Sequence, residues 1–261
     1  MIGRAPEEIW ADSLDDGRQR LTRTTSVLAA TALLGGFNVT LGLLALVVTT
    51  GALAAVMPAS SAHVLASATF GIGLVLVTVG RSELFTENFL VPVAAVLCGE
   101  SSTRAVARLW ALSLVWNLIG IAVFALLIAT PGILEHEALT AAGDLGDTLT
   151  ERSLPAAFVS AVLAGSAITT FTWLAEAAES DLTRVLVALV IGFVLLAPSL
   201  NHAVVGFGEV LLAILAGTTS AGWVDLARNT AIAVVGNAVG GVVLVAFVRG
   251  VQAQAEAGRR A

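Results

Sequence analysis

Residues 80–88, GRSELFTEN, place an arginine and two glutamates in the middle of an otherwise apolar part of the chain. The residues ASATFGIGLVLVTV lead up to this stretch, and FLVPVAAVL follows it. Charged groups inside an apolar span are costly, and irregular backbone there must be held by other polar groups. We therefore expect this stretch to interrupt a helix and to form part of a polar site.

The composition predicts a membrane protein. Of the 261 residues, 57% are hydrophobic and 12% are charged, and the mean hydropathy is +0.92. Soluble domains contain about a quarter charged residues, so this chain cannot cover itself with a polar surface. Its single cysteine, Cys98, excludes a disulfide within the chain.

Stretches of about 20 apolar residues identify membrane-spanning helices. The sequence predicts six such segments within one transmembrane domain, residues 26–250. They cover residues 26–56, 62–98, 104–130, 155–177, 183–216 and 225–250. Residues 1–25 form an N-terminal segment with a surface helix at 6–23, and residues 251–261 form a C-terminal tail.

Arginine residues indicate the orientation, because positive charge favours cytoplasmic loops. With six spans and a cytoplasmic N-terminus, ten of the 13 arginines lie inside, only Arg152 and Arg228 lie outside, and Arg81 lies within the membrane. We therefore expect both termini in the cytoplasm and the protein in the plasma (inner) membrane. The acidic stretch 134–151 is then an external loop, and Ile9, Trp10 and Leu14 contact the membrane or a neighbouring subunit unless that segment is a solvated tail.

The two halves of the chain resemble each other. LLGGFNVT (33–40) is similar to VLAGSAIT (162–169), WNLIG (116–120) is similar to GNAVGG (236–241), and APSLNH (197–202) interrupts span five as GRSELFTEN interrupts span two. Three spans per half is an odd number, so the halves face opposite ways and form an inverted repeat. The fold class expected is therefore an all-α membrane protein of six transmembrane helices.

The two breaks should divide spans two and five into short half-helices. The pieces are Val64–Gly80 and Asn88–Cys98 in span two, and 185–197 and 202–216 in span five. Breaks related by symmetry are expected to meet near the bilayer midplane. The N-terminus of a half-helix there offers free N–H groups and a partial positive charge to an anion or a small polar solute.

The motifs ELFTEN, NH at the second break, WNLIG and GNAVGG together resemble the formate–nitrite transporter family. This resemblance covers residues 25–250 and implies an aquaporin-like protomer with one pore, assembled as a homopentamer. It also implies transport of small monovalent anions such as formate, nitrite or hydrosulfide. In the mechanism proposed for that family, the anion gains a proton and crosses apolar constrictions as the neutral acid.

The resemblance assigns pore roles residue by residue. His202 matches the pore histidine, and the neutral form of its imidazole is expected at rest because burial disfavours charge. The other pore positions are Thr86, Leu84, Phe70, Leu74, Leu195 (or Phe193 in its place) and Thr169, which stands where better-known members have asparagine. The outer-vestibule lysine of those members has no counterpart, because this chain contains no lysine.

Charged residues and amides at membrane depth form a second group of candidates. An unpaired buried carboxylate is costly, so we expect a structural ion network between Arg81 and one or more of Glu83, Glu87 and Glu209. If Glu87 or Glu209 faced the pore instead, it would oppose anions and favour a cation, a neutral solute or proton-linked transport. Asn117 and Asn237 are expected to satisfy backbone groups freed at the breaks.

Two other functions are compatible with parts of the sequence. An aquaporin-like pore for a neutral solute or a cation would use the same fold, although no NPA tripeptide occurs. A membrane-embedded hydrolase could pair Ser166 with His202 as base, but the glycine pattern of serine hydrolases and the HExxH zinc motif are missing. We expect no enzyme activity, catalytic residue, metal, cofactor or nucleic-acid partner, and a small anion and the lipid bilayer as partners.

Overall fold

The computed structural model describes residues 3–260, with the side chain of Arg260 left out. The first two residues and the last residue of the expected terminal segments therefore lie outside the described part. In chain order the first helices are α1 (Pro6–Thr22), α2 (Thr25–Ala54), α3 (Ala59–Val79), a 3₁₀-helix (Phe85–Phe89), α4 (Val91–Leu97) and α5 (Thr103–Ile128). The second half contains α6 (His136–Thr150), α7 (Leu154–Ala177), α8 (Asp181–Leu196), α9 (Ala203–Ala216), α10 (Trp223–Ala238), a π-helix (Val239–Ala246) and α11 (Phe247–Arg260).

The described part of the chain is all-helical, as the sequence predicts, and contains no strand. Five helices are long and apolar enough to cross a membrane: α2, α3, α5, α7 and the continuous helix Trp223–Arg259. The chain is therefore a multi-pass membrane protein. The shorter helices α8 and α9, of 16 and 14 residues, occupy the place of the fifth predicted span.

Polar residues fix where several of these helices begin. The side-chain oxygens of Thr24, Ser102 and Ser180 accept hydrogen bonds from the backbone N–H groups of the first turns of α2, α5 and α8. Such caps satisfy donors that have no partner within the helix. The boundaries therefore follow from hydroxyl residues that stand just before long apolar runs.

Glycines bring the helices of each half into close contact. A Cβ atom on Gly120 would overlap the carbonyl oxygen of Leu33, and one on Gly240 would overlap that of Val162. Backbones that approach this closely exclude any larger residue. The similar sequences of the two halves thus form similar contacts, α2 against α5 and α7 against the segment after α10.

Helices α3 and α8 end with the same backbone turn. Arg81 and Ser199 both have φ of 52°, in the left-handed region that favours glycine. The N–H of Ser82 bonds the carbonyl of Val77, and the N–H of Leu200 bonds that of Leu195. Both turns are Schellman motifs with a residue other than glycine at the strained position.

The expected division of span two into two half-helices is wrong for its first part, because α3 is longer than a half-helix. Its 21 residues give a length of ~31 Å, enough to cross the hydrocarbon core alone. Val77–Val79 at its end line a cavity together with Arg20 of α1 and Arg23 just after it. Glu100, just after α4, hydrogen-bonds Arg18 of α1 at 2.6 Å.

The start and the end of residues 80–100 therefore lie on the α1 side, and the part between them dips back into the protein. The segment after α8 behaves in the same way from the opposite side. Ser199 and Thr218 both lie beside α6, where Ser199 lines a cavity with α6 residues and Thr218 packs against Gly143. A turn that ends a nearly full-length helix, rather than a break at its middle, produces both re-entrant segments.

The N-terminal helix is packed against its own chain. Ile9 and Trp10 are 4% and 5% exposed, and they lie in one apolar cluster with Val91 and Ala253. Within residues 3–260 they are therefore already buried, and membrane or subunit contact is not needed to cover them. Leu14 packs at the edge of the same cluster.

The acidic stretch 134–151 is a helix rather than a loop. Its apolar positions, among them Leu145 and Leu149, are buried against α9 and the core of the protein. Asp144 and Thr148 lie on the exposed side. The spacing of apolar and polar residues in this stretch matches the period of an amphipathic helix.

Candidate functional site

The two re-entrant segments meet at one buried hydrogen bond. Nε2 of His202 lies 2.9 Å from Oγ1 of Thr86, and both residues are at most 1% exposed. Thr86 belongs to the 3₁₀-helix that follows α3, and His202 immediately precedes α9.

The second nitrogen of His202 determines its tautomer. Nδ1 accepts a hydrogen bond of 3.2 Å from the backbone N–H of Val205, so the imidazole caps the N-terminus of α9. A nitrogen that accepts carries no proton, and in the neutral ring the proton lies on Nε2. His202 therefore donates to Thr86, which leaves the proton of the Thr86 hydroxyl for another acceptor.

Asn117 and Asn237 hold the two segments with equivalent bonds. Oδ1 of Asn117 accepts from the N–H of Phe85 at 2.8 Å, and its Nδ2 donates to the carbonyls of Ala32 and Glu83 at 2.7 and 2.8 Å. Both amides are fully buried, and each satisfies one N–H and one carbonyl of a re-entrant segment in addition to one carbonyl within a long helix.

The bonds of Asn237 repeat this pattern in the second half. Its Oδ1 accepts from the N–H of Ala203 at 2.8 Å, and its Nδ2 donates to the carbonyls of Ala161 and Asn201 at 2.8 and 3.0 Å. Asn117 thus joins α2 to the first re-entrant segment, and Asn237 joins α7 to the second.

Further polar groups hold the turn before α9. The side chains of Asn201 and Asn229 bond each other reciprocally at 2.9 and 3.2 Å. Arg152 donates to the carbonyl of Ser199 at 2.8 Å and to Oγ of Ser160 at 2.9 Å. Burial lowers the pKa of the Arg152 guanidinium, and the charge of Glu209 opposes that shift.

The expected ion network around Arg81 is wrong. Glu83, 2% exposed, pairs with Arg23 at 2.8 Å, and its other oxygen accepts from Asn88 Nδ2 at 2.9 Å. Arg81 is exposed in the left-handed turn and has no carboxylate within 4.0 Å among the described residues. The turn directs Arg81 to the surface, and Arg23, just after α1, supplies the positive charge instead.

The other two glutamates of that network are buried elsewhere. Glu87 is 8% exposed, lines the cavity beside α1, and accepts from the N–H of Leu84 at 3.4 Å. Glu209 is 2% exposed on α9 and lies near Arg152 rather than Arg81. Glu87 and Glu209 are therefore associated with opposite sides of the molecule.

The apolar pore candidates are buried together. Phe70, Leu74, Leu84 and Leu195 are at most 1% exposed and belong to one core cluster, whereas Phe193 is 38% exposed. This burial favours Leu195 over Phe193 as the inward-facing residue of α8.

Thr169 is fully buried, and its hydroxyl oxygen has no hydrogen-bond partner within the described chain. The alternative site at Ser166 is not assembled. The Ser166 hydroxyl lies 2.9 Å from the carbonyl of Val162 and 3.2 Å from that of Gly240, whereas His202 bonds Thr86. The geometry therefore gives no support to a serine–histidine pair.

Two cavities approach the buried layer from opposite ends of α3. One, of about 520 Å³, lies between α1 and the ends of α3 and α7, and the other, of about 500 Å³, lies between α6 and the start of α3. His63 lines the second cavity and Val77 the first, a separation of ~21 Å along the helix. Neither cavity is lined by Thr86 or His202, which are at most 1% exposed in the layer between them.

Two residues that support the site, Trp110 and His63, are not among those predicted from the sequence. Trp110 donates its Nε1–H to the carbonyl of Asn88 at 2.8 Å, which supports the first re-entrant segment from α5. His63, inside α3, places Nε2 at 2.9 Å from the carbonyl of Leu196. An indole or imidazole within an apolar run was the available signal, because a polar group there needs a partner.

A membrane protein with two re-entrant segments, joined by a buried imidazole between two cavities, belongs to the class of channels and transporters. The sequence profile described as formate/nitrite transporter matches residues 7–251, so the chain belongs to the formate/nitrite transporter family. The protein is 26% identical over 255 residues to the uncharacterised transporter YrhG of Bacillus subtilis, covering 95% of this chain and 93% of the relative.

Other known proteins show the same relationship. The formate channel BtFdhC of Bacillus thuringiensis is 26% identical over 253 residues, which cover 95% of each chain. A solved pentameric formate channel with formate bound has a TM-score of 0.71 at 19% identity, over 85% of this chain and 95% of the other. The family to which this chain belongs consists of membrane transport proteins rather than enzymes.

Proposed function

We propose that the protein is a channel or transporter for a small monovalent anion of a weak acid, such as formate, nitrite or hydrosulfide. The observation that carries the proposal is the hydrogen bond between His202 and Thr86, which joins the two re-entrant segments between the two cavities. The name of the similar formate channel indicates the substrate class.

The proposed fold is an inverted repeat of two three-helix halves. In this proposal α2, α3 and α5 cross in the first half, and α7, the α8–α9 segment and α10–α11 cross in the second. The equivalent bonds of Asn117 and Asn237 and the equal turns at Arg81 and Ser199 support it. The halves then form an aquaporin-like protomer, and the solved pentameric relative supports a homopentamer.

The buried layer is suited to passage of a neutral molecule. A bare anion loses its hydration among Phe70, Leu74, Leu84 and Leu195, at a cost far above that of a neutral acid. Thr86 has a hydroxyl proton to donate, and the unpartnered hydroxyl of Thr169 offers a second polar contact. Since Nδ1 of His202 is occupied by the α9 cap, we propose that the proton taken up by the anion comes from cavity water.

Flux into proteoliposomes tests this function. Formate, nitrite or hydrosulfide should enter faster than into empty liposomes, and His202→Ala should change the rate or its pH dependence. The exposed variant Leu65→Ala is the matched control and should behave as the native chain. The proposal fails if all tested anions stay at the empty-liposome level while the protein is folded.

A pore for a cation or a neutral solute is the second candidate. The observation that favours it is the negative charge of the cavity beside α6, which is lined by Glu137 and Asp144 and by no arginine. Passage of glycerol or ammonium without passage of any anion, in the same vesicles, would support this candidate.

We further propose that both termini are cytoplasmic. Cys98 is exposed just after α4, on the side where α1 lies. A membrane-impermeant thiol reagent should therefore label Cys98 in inverted membrane vesicles and not in intact cells, and the reverse result would invert the orientation.

A further inference from the structure

The cavity beside α6 has an unusual set of ionisable groups. Its walls come from the end of α2, the start of α3, helix α6 and the turn after α8. The ionisable residues among its lining are two imidazoles and two carboxylates: His63 from α3, and His136, Glu137 and Asp144 from α6. Helix α2 and the turn after α8 contribute only uncharged residues, such as Thr50 and Ser199.

A solute that reaches His202 from this side passes these groups. Ser199 lines the cavity and stands three residues before His202 in the same re-entrant segment. The cavity is about 500 Å³, which confines the solute close to its charged walls. In a narrow cavity of one sign of charge, the local concentration of an ion and its entry rate change ten-fold or more.

The charge of this cavity depends on its imidazoles. With both rings neutral, Glu137 and Asp144 give a charge of −2, and with both rings protonated the two added positive charges bring the sum to zero. Histidine changes charge between about pH 5 and 8. The opposite cavity is different, because arginines from α1, from α8 and from the turns after α1 and α3 are interspersed with its carboxylates.

Arg152, which bonds the lining residue Ser199, does not change this balance. Arg152 is held by the carbonyls of Pro198 and Ser199 and by Oγ of Ser160, and it does not line the cavity. Its guanidinium therefore stabilises the turn and leaves the entrance without a basic residue of fixed charge.

Protonation of His63 adds charge without opening the turn. Its Nε2 lies 2.9 Å from the carbonyl of Leu196 and 3.1 Å from Oγ of Ser199. Because a carbonyl oxygen only accepts, Nε2 carries a proton in both charge states, and the additional proton binds Nδ1. The bond to Leu196 thus persists when the ring becomes positive.

From these observations we propose that His63, His136, Glu137 and Asp144 form a pH-dependent anion filter at the α6 entrance. The two carboxylates repel anions from this entrance, and protonation of both imidazoles cancels that repulsion. This inference rests on the proposed function, since it assumes that an anion passes the cavity.

Isotope exchange of formate in proteoliposomes, with equal pH on both sides, tests the filter without regard to orientation. The carboxylate variant Glu137→Gln/Asp144→Asn should exchange formate about 3- to 10-fold faster than the native chain at pH 7.5 and low salt. This gain should shrink in about 0.5 M salt, because ions screen the cavity charge. The matched control Glu135→Gln/Glu151→Gln removes two exposed carboxylates at the ends of α6 that do not line the cavity, and it should stay within about twofold of the native rate.

The imidazole variant His63→Gln/His136→Gln gives the pH dependence. Its rate should equal the native rate at pH 7.5 and fall about 3- to 10-fold below it at pH 5.5. Dividing the exchange rate of the variant by that of the native chain at the same pH removes the effect of formate protonation, which is the same for both. Glutamine can still donate to the carbonyl of Leu196, and His136→Gln alone, at an exposed position, checks that a fall does not come from a disturbed turn.

The inference is overturned if the exchange rate of His63→Gln/His136→Gln, relative to the native rate, is the same at both pH values. It is also overturned if Glu137→Gln/Asp144→Asn exchanges formate no faster than Glu135→Gln/Glu151→Gln. In either case formate exchange by the native chain would leave the proposed function intact. If the native chain passes neither formate nor nitrite nor hydrosulfide above the level of empty liposomes, the proposed function and the filter fail together.

Discussion

Asn117 and Asn237 make the same three hydrogen bonds in the two halves of the molecule. Each accepts from the first N–H of a helix that restarts inside the protein. Each also donates to one carbonyl of that re-entrant segment and to one carbonyl of a long helix, α2 or α7. An unsatisfied buried amide or carbonyl costs about 1–3 kcal/mol, so these side chains stabilise conformations that would otherwise be unfavourable.

Alanine at either position should destabilise the protein by a similar amount. Asn117→Ala and Asn237→Ala each leave one N–H and one carbonyl of a re-entrant segment without the amide that satisfies them, and we expect a loss of about 2–4 kcal/mol. Thermal unfolding in detergent, followed by tryptophan fluorescence, measures the effect. The half-buried Asn38, which bonds the carbonyl of Leu76 and Oγ of Ser82, serves as the control and should cost less. Equal stability of either variant and the native chain would contradict the prediction.

Arg23 should be more important for stability than Arg81. Loss of the Arg23 charge leaves the buried carboxylate of Glu83 without its cation, and Arg23→Gln should cost about 1–3 kcal/mol after allowance for its partial exposure. Arg81→Gln should cost less than about 0.5 kcal/mol, as expected for an exposed side chain. Adding Glu83→Gln to Arg23→Gln should recover part of the loss, and a double-mutant cycle with no coupling would refute the pair.

The sequence predicted the helical membrane fold, and the profile match confirms the family. Apolar runs identify long helices because each supplies enough residues to cross the bilayer. The repeat of LGGFN and LAGSA also pointed to matching contacts, since small residues are needed where backbones touch.

The local path of the breaks was harder to infer. The turns at Arg81 and Ser199 use residues other than glycine in the left-handed region, and the sequence carries no signal for such positions. The same turn exposes Arg81, and the arginine partner of Glu83 is instead Arg23, at the end of α1 and 60 residues away in the sequence. A pairing over that distance depends on how α1 packs, and charge alone does not specify it.

Glycine at position 81 should stabilise the protein. The φ of 52° costs a residue with a Cβ about 1 kcal/mol, and the Arg81 side chain has no ion pair within the described chain to offset it. We expect Arg81→Gly to gain up to about 1 kcal/mol, reduced by the greater flexibility of glycine in the unfolded state. Gly217, with φ of 68° at the end of α9, is the reciprocal control, and Gly217→Ala should lose about 1 kcal/mol. A clear loss of stability in Arg81→Gly would contradict this prediction and would show that the arginine side chain makes a stabilising contact.

Thr86 should be required for transport through its hydroxyl rather than its shape. Thr86→Val keeps the volume of the side chain but leaves Nε2–H of His202 without an acceptor and removes the donor to the solute. The loss of one buried hydrogen bond, about 1.5 kcal/mol, corresponds to a fall in anion flux of about tenfold. Thr86→Ser retains the hydroxyl and should keep flux within about threefold of the native chain, which separates chemistry from packing. Thermal unfolding of both variants establishes that they are folded. The Thr86→Ser variant has the hydroxyl and the Thr86→Val variant lacks it. Equal anion flux through the two variants would therefore show that the Thr86 hydroxyl is not required for transport.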